Sequence, residues 1–137
     1  MKIQVTSNLE VQKIRTKSTP WILISDHPDE FVGKSDPRNL LVLSFPDLTP
    51  SECTGPFSGF KDELCSEEHV RRIIEFARSF LSEELLLVSC DMGVSRSAAV
   101  GNGLIEVFDL PQPLFRPPQH QPNPWIKELF KNHKGLQ

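Results

Sequence analysis

The side chains able to do chemistry are concentrated in one stretch. Residues 85–100 read Leu85-Leu-Leu-Val-Ser-Cys-Asp-Met-Gly-Val-Ser-Arg-Ser-Ala-Ala-Val100, with Cys90, Gly93, Arg96 and Ser97 close together. A buried strand ending at Cys90 and a helix starting near Ser95 set Asp91, Met92, Gly93, Val94 and Ser95 at a helix N-terminus. Successive backbone N–H groups there are free to converge on an anion. Gly93 lets the backbone bend sharply and approach a ligand closely. Arg96 adds a planar fork of donors that suits phosphate oxygens. The same positive environment favours the thiolate of a cysteine at the base of the loop, and so makes Cys90 a nucleophile. Ser97 is placed to donate a hydrogen bond to that sulfur. An anion cradle and a soft nucleophile thus share one loop.

Spacing alone is a weak signal, because Cys65 and Arg71 repeat it. Between them stand Ser-Glu-Glu-His-Val, with no glycine, two carboxylates that repel phosphate, and no buried strand leading in. That second occurrence is chance. Around Cys90 the strand, the glycine, the small residues and the serines flanking Arg96 agree with one another.

The loop needs elements to hold it. Continuous apolar runs at Trp21–Ile24, Leu40–Phe45 and Leu85–Val88 have strand length and the character of strands covered on both faces, and Lys2–Val5 offers a fourth. The best helix runs from Ser66 to Leu81, capped by Ser66, with Val70, Ile73, Ile74, Ala77, Phe80 and Leu81 at helical spacing. Others are expected over Ser95–Phe108, over Pro124–Lys131 behind an Asn123 cap, and over Ser7–Arg15. Alternating strands and helices predict one α/β domain over residues 1–137. Its centre is a mostly parallel sheet of four or five strands flanked by helices. Segments 51–65 and 110–122 read as long irregular loops.

Composition removes several classes. With 15 basic and 18 acidic residues among 137, the net charge is −3, so binding nucleic acid mainly by charge is disfavoured. No apolar run approaches the roughly 20 residues of a membrane span, and the first residues do not read as a signal peptide. Three cysteines are too few and odd in number for a disulfide framework, which predicts a reducing, cytoplasmic setting. Cys65 and His69 stand four apart, but with Cys53 they do not make a zinc pattern. No metal or other cofactor is expected. The sequence leaves the oligomeric state open.

Cys90-Asp-Met-Gly-Val-Ser-Arg-Ser97 resembles the signature loop of cysteine-dependent protein tyrosine and dual-specificity phosphatases, Cys-x-x-Gly-x-x-Arg followed by Ser or Thr. The segments Leu41–Leu48, Ser66–Val70 and Asn123–Trp125 are similar to parts of small bacterial and phage tyrosine-phosphatase-like proteins. The resemblance implies hydrolysis of phosphate monoesters, those of phosphorylated proteins above all, through a phosphocysteine. Cys90 would be the nucleophile, Arg96 and the 91–95 amides the phosphate ligands, Ser97 an assistant and an upstream aspartate the acid and base. Asp47 is the first candidate for that aspartate and Asp62 the second. Asp47 is equally read as a turn residue.

The sequence departs from the family where His normally precedes the nucleophile; here the residue is Ser89. A hydroxyl cannot supply an imidazolium's charge, and Asp91 adds a negative charge near the mouth; both predict a weaker nucleophile. The departure keeps a second reading open, a pseudophosphatase that binds a phosphorylated partner without turning it over. There is no Tyr to wall a phosphotyrosine pocket, a place that Phe57, Phe60 or Trp125 could take.

Overall fold

In the computed structural model, which describes residues 1–32 and 37–135, four parallel strands form one sheet in the order β1-β4-β2-β3. They are β1 (Lys2–Ser7), β2 (Trp21–Ile24), β3 (Leu40–Leu43) and β4 (Leu85–Cys90), joined and covered by α1 (Asn8–Ile14), α2 (Asp29–Val32), α3 (Glu67–Arg78), α4 (Arg96–Val107) and α5 (Pro124–Gly135). The expected α/β class and parallel sheet are both present, in a single domain. No helix among the described residues is long and apolar enough to cross a membrane.

Strand parity sorts the core. Trp21, Leu23 and Leu87 pack with Val11 of α1 on one face, whereas Ile22, Ile24, Leu86, Val88 and Cys90 join α3, α4 and α5 on the other. Cys90 is thus committed to the three-helix face and Ser89 to the opposite one. The central strands β2 and β4 are buried almost throughout, as their unbroken apolar runs predict. β3 is an edge strand and only half-buried over most of its length, so its apolar run overstates its cover.

Element ends differ from the expected ones for identifiable reasons. β3 stops at Leu43, not Phe45, because its partner β2 ends at Ile24 and the carbonyl of Phe45 is used by a side chain instead. β4, by contrast, does end at Cys90 as expected, beyond its apolar run, because β1 continues to pair with it, Thr6 opposite Ser89 and Ser7 opposite Cys90. α3 starts as expected, with Ser66 Oγ accepting from the His69 N–H, but it ends at Arg78; Leu81 lies in the following turn, exposed, as the chain reverses toward β4. α5 outruns its apolar pattern and reaches Gly135. Segment 51–65 is not irregular throughout: Pro50–Glu52 and Gly55–Glu63 are 3-10 turns.

Candidate active site

α4 lies against β1 and β4 with nine of its twelve residues buried, and its first residue is Arg96. The loop from Asp91 to Ser95 therefore joins the C-terminal end of an inner strand to the N-terminus of the central helix. Ligands of parallel α/β sheets bind at that edge. Gly93 adopts φ +71°, and a Cβ built on it would sit 2.5 Å from the backbone nitrogen of Ser7. The loop is wrapped so tightly over the end of β1 that no side chain fits there.

The sulfur of Cys90 lies beneath this wrap. The Gly93 N–H donates to Sγ at 3.2 Å, and Ser97 Oγ stands 3.1 Å from Sγ. A hydroxyl at that distance accepts from the thiol and donates to the thiolate. On the outer side, the Val94 and Ser95 carbonyls accept from the N–H groups of Gln121 and Asn123, which occupies their negative ends.

Arg96 is 5% exposed, and its guanidinium is fixed by three hydrogen bonds. Nη1 donates to Asp26 Oδ1 at 3.0 Å and to the Phe45 carbonyl at 2.9 Å, and Nη2 donates to Asp91 Oδ2 at 3.0 Å. A guanidinium has five N–H bonds, so Nε–H and one Nη2–H remain for another acceptor. Burial works against this charge, but Asp26, the Cys90 sulfur and Asp91 outweigh it and hold the guanidinium above its ordinary pKa.

The crystal structure of the human tyrosine phosphatase-like serine/threonine/tyrosine-interacting protein superposes with a TM-score of 0.62 at 18% identity, covering 98% of this chain and 91% of that one. PTPMT1 gives 0.61 at 12% identity over 98% and 90%, and Tk-PTP in its active form 0.61 at 15% over 100% and 94%. The chain has the fold of the cysteine-dependent tyrosine and dual-specificity phosphatases. No protein-family model matches the sequence, and no curated protein matches it.

Cys90, Gly93, Arg96 and Ser97 come together as described. Met92 stands at the tip of the loop, 78% exposed. Asp47 meets the same loop: its Oδ1 accepts from Ser95 Oγ and from Asn123 Nδ2, both at 2.8 Å. Asp62 lies in a neighbouring cleft of about 390 Å³ with Asp26, Phe45, Phe60 and His69. Burial and the charge of Arg72 hold the His69 imidazole below its ordinary pKa, and the Ser66 N–H donates to its Nδ1, which leaves the proton on Nε2. The chance pair separates completely. Cys65 is buried, with its thiol pushed up to about 12, while Arg71 bridges Glu68 and Glu75 on the exposed face of α3.

Two expectations need correction. Asp91 is not a loose charge at the mouth. Its carboxylate accepts from Asn8 Nδ2 at 2.9 Å and Ser25 Oγ at 2.8 Å as well as from Arg96, so it is a brace under the guanidinium. Ser89 is not a weakened stand-in beside the sulfur either. Strand parity turns it to the far face, where its Oγ accepts from Trp21 Nε1 at 2.7 Å. The sequence reading missed Asn8, Ser25, Asp26 and Asn123. Ser25 and Asp26 directly follow an inner strand, at the ligand-binding edge, and that position was the available signal. Asn8 carried none.

Asp91 makes the fold sensitive to acid. Desolvation raises its pKa, but the Ser25 bond and the Arg96 bond and charge overcome it and leave the value lowered. A carboxylate with a depressed folded-state pKa stabilises the fold above the ordinary range, and that contribution fades as pH falls through the folded value. The stability gap between wild type and Asp91→Asn is therefore expected to be widest near pH 6 and to narrow toward pH 3. Urea midpoints across that range check it; a constant gap would remove the carboxylate's role.

Proposed function

We propose that this chain is a cysteine-dependent phosphatase that hydrolyses phosphate monoesters, with a phosphorylated protein as substrate. The observation that carries the reading is the sulfur of Cys90 seated under the Gly93 N–H and beside Ser97, in a loop closed by an immobilised Arg96. In this scheme the Cys90 thiolate attacks phosphorus in line and the bond from phosphorus to the leaving oxygen breaks. Arg96 and the amides of residues 91–95 stabilise the equatorial oxygens. Asp47 gives its proton to the leaving oxygen. Its carboxylate then takes a proton from water, which attacks phosphorus and breaks the sulfur–phosphorus bond, releasing phosphate and the thiolate. Ser97 donates to the sulfur as it leaves. No step calls on a metal.

The test is turnover of 4-nitrophenyl phosphate and of a phosphotyrosine peptide by wild-type protein, together with trapping of phosphate on Cys90 by acid quench. Turnover with the trapped adduct supports the reading. Its complete absence, with inorganic phosphate still bound, would favour the pseudophosphatase.

Asp47 is favoured over Asp62 because its Oδ1 is tied to the loop residue Ser95 and to Asn123, leaving Oδ2 to carry the proton. Asp47→Asn is expected to lower kcat on phenyl phosphate by about 10²-fold or more. The loss should be smaller on 4-nitrophenyl phosphate, whose leaving group needs less protonation, and Asp62→Asn should change neither by more than a few-fold. Equal losses on both substrates would make Asp47 a positioning residue.

A further inference from the structure

A larger cavity lies away from the phosphate loop, between α4, α5 and the segment 110–122 that roofs them, with a volume of about 540 Å³. That volume lies within the range of small-molecule pockets. Its α4 wall is built from Ala99, Gly103 and Val107, residues one helical turn apart, and Phe130 of α5 closes it from below. The ring of Phe130 packs where a Cβ on residue 103 would be, 2.3 Å from that position, so the two helices approach over bare backbone.

The roof is built to stay raised. Asn102 Nδ2 donates to the Phe115 carbonyl at 3.0 Å, and the Phe115 N–H donates to Asn102 Oδ1 at 2.7 Å. Both halves of the amide hold a single roof residue, and Leu114 and Phe115 give the roof an apolar underside.

The charge around the cavity is predominantly positive. Lys127 and Lys131 stand four residues apart on α5 and Arg116 comes from the roof, whereas Glu106 is the one acidic side chain among the described residues of the lining. Three cations against one carboxylate, in a chain whose net charge is −3, run against the composition of the whole protein. An apolar chamber with a cationic edge is complementary to a ligand with an apolar body and an anionic head.

We infer that this cavity is a binding site for a single-chain amphiphile with a carboxylate head, its chain between α4 and the roof and its head at Lys127, Lys131 and Arg116. Isothermal titration of the full chain with dodecanoate, below its micellar concentration, tests this. The expected dissociation constant is about 100 μM or tighter. Hexanoate should bind at least about tenfold more weakly because it buries less apolar surface. Dodecyltrimethylammonium, which has the same chain and the opposite charge, should bind weakly as well. The double variant Lys127→Glu, Lys131→Glu changes only exposed side chains, so its fold should survive, and it should lose about tenfold in affinity for dodecanoate. Saturating inorganic phosphate should leave the affinity within about twofold, because phosphate would occupy the other loop. No binding of dodecanoate, equal binding of the cationic amphiphile, indifference to the double variant, or competition by phosphate would each overturn the assignment. None of these readouts depends on catalysis.

Discussion

Cys90→Ser is expected to lower kcat/KM for 4-nitrophenyl phosphate by at least about 10⁴-fold, equivalent to more than about 5 kcal/mol of transition-state stabilisation. The reason lies in what surrounds the sulfur. A serine hydroxyl attacks well only when a neighbouring base removes its proton. The partners of Sγ are the Gly93 N–H and the Ser97 hydroxyl, neither of which is a base. The substitution should leave the anion site standing, because Arg96 is held by Asp26, Asp91 and the Phe45 carbonyl, and the hydrogen bonds of the sulfur go to Gly93 and Ser97 instead. Binding of inorganic phosphate is therefore expected to change by no more than a few-fold. Paired measurement of turnover and phosphate affinity separates a lost nucleophile from a collapsed loop. A serine variant retaining more than about a hundredth of the wild-type rate would place the chemistry on another group.

Gly93→Ala is expected to damage both stability and activity, through geometry alone. A non-glycine residue at φ +71° carries a backbone strain of roughly 1–2 kcal/mol. The added methyl group would also meet Ser7 N and Thr6 C at 2.5 Å, and both are backbone atoms of β1 that cannot rotate away as a side chain can. Together these predict a loss of about 3–4 kcal/mol, large for a single substitution, and a fall in Tm of roughly 10 °C. Whatever relaxation occurs must lift the loop from β1, which moves the Gly93 N–H from the sulfur and disturbs the cradle. Thermal unfolding and turnover measured on the same variant check both halves. A fall in Tm with unchanged turnover would mean that the loop's position is not set by its seat on β1.

The parts of this molecule that were legible in its sequence are those where one local rule decides. The inner strands are unbroken apolar runs, α3 opens with a capping serine, and the loop joins strand to helix around Gly93. What stayed hidden depended on register and on distance along the chain. The direction of Ser89 follows from strand parity, but which face of β4 meets α1 and which meets α3, α4 and α5 is set by the chain crossings and not by any local pattern. Asp91 changes meaning when Asn8, 83 residues earlier, and Ser25, 66 residues earlier, are brought against it. Asn123 was visible as a helix cap, and its Oδ1 does accept from the N–H groups of Trp125 and Ile126, but its amide also reaches Asp47. No spacing rule connects residues 47 and 123.

The seat of the loop on β1 bears on how the protein matures. Residues 2–7 are synthesised well before their partners, residues 85–90, and the loop that rides over them comes later still. Contacts so remote in sequence form slowly, and β1 awaiting its neighbour β4 leaves its strand edges unsatisfied meanwhile. The loop is therefore completed only after segment 121–123 has been made and can close over Val94 and Ser95. Deleting the opening strand would leave the residues of the signature all present and the signature itself without a floor.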